Sequence, residues 1–295
     1  MRYTIAHRTR YRYPVPVHES HTIAHLQPRS DLAQYCTRFE LSVSPRARLY
    51  AYADRYGNDV HHFAVLPEHD TLEVVARSQV VVVRGAAAAP AALPRELIDD
   101  DPALDELWDY VHESRYVRFC EELDALLSSI GIPGRGDDAV AWFRTAAQAI
   151  HDGFVYESGT TSVHATVEES IALRRGVCQD FAHVLIALCR RAGIPARYVS
   201  GYIHSGSGET LGAEASHAWA EAYLGPRGWI GIDPTNDTWI DEQFVRVATG
   251  RDYRDVAPVR GVYTGPSSST MSVDVAVEAL SPAQQAHTFA EQQQQ

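Results

Sequence analysis

Hydrophobic and polar positions change rhythm several times along this chain. Residues 2–13 alternate with a period of two. Tyr3, Ile5, Tyr11 and Tyr13 fall on one face, and Arg2, Arg8, Arg10 and Arg12 on the other, the pattern of a half-buried strand. Strand-like runs follow at 21–27, 35–43, 60–66 and 71–83, with turn chemistry in Asp54-Arg-Tyr-Gly-Asn58 between two of them. Short strands at this spacing predict an antiparallel β-sandwich or small barrel over residues 1–85. The arginine stripe reads as its solvated face. Residues 86–102, rich in Ala and Pro and ending in three aspartates before Pro102, predict a linker or docking strap.

From 103 to 151 the rhythm becomes helical. Leu104, Leu107, Trp108 and Val111 mark one amphipathic helix, and Ala139, Phe143, Ala146, Ala147 and Ile150 another, with Gly131-Ile-Pro-Gly-Arg-Gly136 breaking the chain between them. A helical bridge and a second, mixed domain together are expected over 103–265. A further alternating strand falls within 266–281, and a Gln- and Ala-rich tail over 282–295 is expected to be disordered.

The next helix carries chemistry. Phe181, Leu185, Leu188 and Ala192 recur at helical spacing, Arg190 and Arg191 lie in the last turn, and Gly193 with Pro195 ends the run. The helix therefore starts near Val177 or Cys178, with Gly176 allowing a sharp turn into it. A cysteine in the first turn of a helix meets unpaired N–H groups and the positive end of the dipole, which favour thiolate. Cys189, inside the same helix, has neither and reads as core. Asp180 and Gln179 share the first turn, where an acid is favoured whatever the function. His183 lies a turn and a half past Cys178 and reads as structural.

A thiolate nucleophile needs a base and the base an orienting group. Residues 216–224 and 229–235 read as a strand and its antiparallel return. A five-residue connection, 224–228, pairs Tyr223 with Trp229 and hence Trp219 with Asp233. His217 and Asp233 then share one face as diagonal neighbours, roughly 7–8 Å apart at the backbone. A slip of one residue would put them on opposite faces.

Composition narrows the classes. Lys and Arg number 26 against 38 Asp and Glu, a net charge of −12 that argues against nucleic acid or an anionic membrane as the main partner. There is no apolar run of 18 residues and no secretory signal in the first residues, so a cytoplasmic protein is expected. Cys36, Cys120, Cys178 and Cys189 form no Cys-x-x-Cys pair, so a structural zinc is not expected and all four should be reduced thiols. His61, His62 and His69 raise a metal site, but no carboxylate sits at ligand spacing on the same expected face. No cofactor is expected.

Three blocks, Gly-Val-Cys-Gln-Asp-Phe-Ala-His, Ser-His-Ala-Trp-Ala-Glu and Gly-Trp-Ile-Gly-Ile-Asp-Pro-Thr, occur in an order that resembles the transglutaminase-like superfamily, whose core is papain-like. Ser20-His21, Leu26-Gln-Pro-Arg29 and Tyr56-Gly-Asn58 resemble the bacterial transglutaminase N-terminal domain, and residues 250–261 also resemble this bacterial subfamily. The resemblance spans roughly residues 1–280. It implies an α+β fold, a β-sandwich or barrel followed by helices packed on an antiparallel sheet. It also implies roles: Cys178 the nucleophile, His217 the general base and then acid, Asp233 the group that orients the imidazole. The implied chemistry is acyl transfer on a peptide or protein amide through an acyl-thioester, with a cysteine peptidase or amidase favoured over a transferase. The Cys178 backbone N–H is the expected first oxyanion donor, and Tyr156 and Trp142 are nominated as the second. No Asp-x-Asp-x-Asp-Gly calcium loop is present. The competing class is an inactive papain-like binding or scaffold protein.

Overall fold

The computed structural model describes residues 1–86, 88–159, 164–204, 211, 216–265 and 268–280. The expected tail over 282–295 lies outside them.

The alternation at the N-terminus does build a strand, but a longer one than its pattern suggests. Strand β1 runs unbroken over Arg2–Ala24, burying Tyr3, Ile5, His7, Thr9 and Tyr13 on one face. The runs at 2–13 and 21–27 are therefore two halves of one strand. Register shifts at 12–17 and 18–21 bend it without ending it, so each half serves a different sheet layer. The first half pairs β5 (His69–Val82), which also pairs β2 (Gln34–Ser44). The second half pairs β4 (Asp59–Val65), which continues to β3 (Leu49–Ala53), a strand that no alternation announced. The arginine face is solvated as expected, and Arg8 and Arg10 converge on Glu73 at 2.6 Å each.

The strap that follows is packed. Leu93 and Ile98 are buried, the latter in α1 (Glu96–Asp99), and Arg95 donates to the carbonyls of Ala192 and Gly193. The amphipathic α-helix expected around Leu104–Val111 is instead a 3₁₀ segment, Pro102–Tyr110, interrupted at Leu107 and burying none of its residues. Of its apolar stripe Leu104 packs half-buried against the core, while Trp108 lies on the surface stacked on His112 at 3.8 Å. Helix α2 (Glu121–Ile130) precedes α3 (Ala139–Gly153), which buries all five expected positions. Short β6 (Val155–Tyr156) pairs in parallel with β7 (Arg175–Gly176) around α4 (Val167–Leu173).

Helix α5 (Cys178–Arg191) is buried at every position from Cys178 to Arg190 and packs on β8 (Ala196–Ile203) and β9 (His217–Tyr223). Its end is the expected one, with Gly193 at φ +74°. The core sheet is antiparallel, in the order β11 (Thr238–Trp239), β10 (Trp229–Asp233), β9, β8, β12 (Phe244–Gly250). After α6 (Tyr253–Val256), β13 (Val259–Thr264) and β14 (Thr270–Ala279) both return to β1. The two sheets share one apolar core: Tyr3, Ile5, Val80 and Val82 pack in the same cluster as α3 and α5. A smaller cluster around Phe63, Leu72 and Val74 fills the N-terminal module.

The N-terminal motif residues hold the module against the core. Arg29 Nη1 donates to the Tyr56 carbonyl, to Asn58 Oδ1 and to Thr249 Oγ1 of β12. The Asn58 amide pairs both ways with the Thr249 backbone, and the Gln34 amide both ways with that of Arg246. Arg246 and Arg197 in turn clamp Glu221, which is 1% exposed.

Candidate active site

Cys178 is the first residue of α5, so its N–H belongs to the helix's unpaired first turn. Asp180 fixes that start: its Oδ2 accepts the Val177 N–H at 2.8 Å. Gly176 is required for a reason other than a turn. A β-carbon there would stand 2.8 Å from Asp180 Cβ and 2.9 Å from its Cγ, so the carboxylate occupies the space that a side chain would need. Cys189, by contrast, is fully buried, and burial pushes its thiol well above the ordinary range.

The hairpin adopts the odd register. Trp229 pairs Tyr223, Gly231 pairs Glu221 and Ile232 pairs Ala220, with residues 224–228 as the connection. The consequence is direct: His217 Nε2 lies 2.7 Å from Asp233 Oδ2, with both side chains fully buried. A carboxylate only accepts, so Nε2 carries the hydrogen and Nδ1 is left for proton exchange. Nδ1 meets no partner of regular geometry, and the neighbouring group that acts on the ring is Cys178. Burial drives the imidazole pKa down, but the charges of Asp233 and Cys178 and their hydrogen bonds outweigh it, raising the value to about 10. Asp233 is opposed by the same burial and held below its usual range by His217, Asn236 and the Thr235 N–H. Its Oδ1 accepts from Thr235 N at 2.9 Å and its Oδ2 from Asn236 Nδ2 at 2.7 Å. These two supports went unnoticed in the sequence, although Asp-Pro-Thr-Asn is a run in which an aspartate caps its own turn.

Of the two nominated donors, the structure separates one from the site. Trp142 Nε1 donates to the Gly131 carbonyl at 2.6 Å, inside the α2–α3 packing. Tyr156, at the end of β6, does not line the cavity that holds the thiol; burial, then the charge of Cys178, pushes its hydroxyl up to about 12. His183 accepts the Tyr253 N–H at 3.1 Å and stacks on Tyr116, a structural position. His61, His62 and His69 gather no metal-binding set among the described residues; His69 is engaged by Ser20 and the Pro67 carbonyl.

Cys178 and His217 line one cavity of about 210 Å³. Besides residues of the motif blocks, its walls include Tyr253 and Val259 from the 250–261 segment, and four residues that no sequence motif marked: His7 and Thr9 on β1, Met271 and Val273 on β14. The N-terminal module and the last strand thus roof the thiol. His7 is buried and bonded to Tyr202 and Thr9, and burial lowers its pKa to about 4, so it is a neutral wall.

A helix-start thiol, a buried histidine–carboxylate pair and a core sheet behind them define a papain-like arrangement. Residues 129–234 match the model of the transglutaminase-like superfamily, and residues 3–81 that of the bacterial transglutaminase-like N-terminal region. An uncharacterized protein of Mycobacterium tuberculosis is 36% identical over 303 residues, covering 94% of this chain and 92% of its own length. The chain belongs to the transglutaminase-like superfamily. Among solved structures, a candidate cysteine protease from Cytophaga hutchinsonii superposes with a TM-score of 0.72 at 24% identity, over 95% of this chain and 92% of that one. It shares the fold. A protein-glutamine gamma-glutamyltransferase of Pseudomonas aeruginosa is 30% identical over 92 residues, 29% of this chain and 14% of that protein.

Proposed function

We propose that this protein is a thiol-dependent acyl-transfer enzyme acting on peptide or protein amides, with water the favoured acceptor. The observation that carries the reading is the His217–Asp233 contact of 2.7 Å beside a thiol at the start of α5, in one cavity. His217 Nδ1 takes the Cys178 proton, and the sulfur attacks the amide carbonyl. The oxyanion accepts from the Cys178 N–H at the helix start; removing one such donor costs about 2.7–4 kcal/mol of transition-state stabilisation. The imidazolium returns its proton to the leaving amine as the thioester forms. A water, deprotonated by His217, then releases the acid and regenerates the thiol. Asp233 holds the tautomer and stabilises the imidazolium throughout.

Water is favoured because Thr9, Ser200 and Ser216 on the cavity walls offer it hydrogen-bond partners beside the thiol. The cytoplasm, where thiols stay reduced, is the compartment proposed for it. Incubation with a peptide library, with and without an added amine, followed by mass spectrometry, tests the reading. Cleaved or deamidated peptides support hydrolysis, and amine adducts would make it a transferase. Four equally sluggish thiols towards iodoacetamide, with no peptide changed, would leave the scaffold class instead.

A further inference from the structure

A second cavity, of about 310 Å³, adjoins the first across shared walls, Tyr253, Val259 and Met271. It lies between β1, β13, β14 and the α6 region, and it is deep in tyrosines: Tyr11, Tyr13, Tyr116 and Tyr263 line it with Leu72. Its volume falls at the lower end of ordinary ligand pockets, roughly 300–1,000 Å³, enough for one large side chain and too large for a stray water.

The chemistry of the walls selects the guest. The polar atoms whose bonds are known are turned to protein partners. Tyr11 donates to the Val259 carbonyl at 3.4 Å, Tyr116 bonds His164 at 2.8 Å, and Ser20 bonds His69 at 3.0 Å. Tyr13 and Tyr263 meet edge to face at 4.9 Å, so ring carbon faces the space. Among the described residues, the formal charges on the lining are Arg254 and Arg260, with no carboxylate, so a lysine or arginine side chain would enter without a counter-charge.

We propose that this cavity is a specificity subsite that takes an aromatic side chain of the peptide whose amide is presented to Cys178. The inference rests on the proposed acyl-transfer reading for the identity of the substrate, but its test does not need turnover. Labelled hexapeptides of Gly and one Gln, carrying Phe, Ala, Lys or Glu at each position next to the Gln, are titrated by fluorescence anisotropy against the full chain with Cys178→Ala. At one position the Phe peptide binds at least about tenfold more tightly than the Ala peptide, in the range a filled apolar pocket gives, and Lys is rejected.

Ser269 is exposed and lines this cavity but not the catalytic one. Ser269→Trp fills the space and brings the Phe-to-Ala ratio close to one, while Tyr263→Ala lowers it by removing a wall; thermal melts check that each is folded. Equal affinity for Phe and Ala at every position, preference for Lys, or a ratio untouched by Ser269→Trp overturns the subsite. Sluggish alkylation of Cys178 in the unmodified chain overturns the acyl-transfer reading instead, so the two failures are distinct.

Discussion

Replacing Asp233 by Asn tests the site at its most constrained point. The carboxylate accepts three N–H groups: His217 Nε2 and Asn236 Nδ2 on Oδ2, and Thr235 N on Oδ1. An amide has one oxygen to offer. It serves the two donors best by taking the Oδ2 place, which turns its own NH₂ towards the Thr235 N–H. A buried donor left unpaired costs about 1–3 kcal/mol of stability. The imidazolium also loses its charged partner, a bond contributing about 1.5–3 kcal/mol. At about 1.36 kcal/mol per tenfold, that is a loss of about 10- to 150-fold in rate. The assay is iodoacetamide alkylation across pH, with Cys178→Ala subtracting the other three thiols, alongside peptide turnover. Asp233→Asn should slow alkylation of Cys178, because the imidazolium beside the sulfur has lost its charged partner. The alkaline limb of turnover, set in the unmodified chain by an imidazole raised to about 10, should move down. The sign for stability agrees: a histidine raised from 6.5 contributes fully below that pH and loses its contribution as pH rises to about 10, so the melting-temperature gap between the two proteins should narrow over that window. An unchanged alkylation rate with an unchanged alkaline limb would refute the assignment of Asp233 as the orienting group.

Other outcomes follow from separate features. Cys178→Ser should abolish turnover while shifting the melting temperature little, since the change is nearly isosteric; a large loss of stability would argue against a purely catalytic role. Glu221→Gln leaves Arg197 and Arg246 facing a neutral group in a buried site, and should destabilise by about 3–5 kcal/mol in urea unfolding. His7 and His183 are buried neutral with values lowered to about 4, so stability should fall as pH drops from 6.5 towards 4. In His183→Phe that slope should become shallower, as followed by thermal melts; an equal slope would mean other groups titrate. Gly176→Ala should displace the Asp180 carboxylate from the Val177 N–H and slow Cys178 alkylation, and wild-type reactivity would show that the helix start does not depend on it.

What the sequence determined by itself is whatever rests on short-range periodicity and on local parity. The 3.6-residue rhythm of Phe181, Leu185 and Leu188, ended by Gly193, was enough to start α5 near Val177 or Cys178, and it starts at Cys178. Strand parity tied the face shared by His217 and Asp233 to the length of the turn, five residues or four, and the structure chose five. Periodicity failed where a short apolar stripe left Trp108 on the surface, as at Leu104–Val111, and where a bulge carried a strand through residues that look like a break, as in β1. Only the tertiary structure decided what surrounds the thiol. His7, Tyr253 and Met271 are 264 residues apart end to end, and nothing local to any of them records that β14 returns to pair with β1. Long-range strand pairing is set by the sum of many burials across two sheets, and that sum makes the N-terminal module a wall of the active cavity.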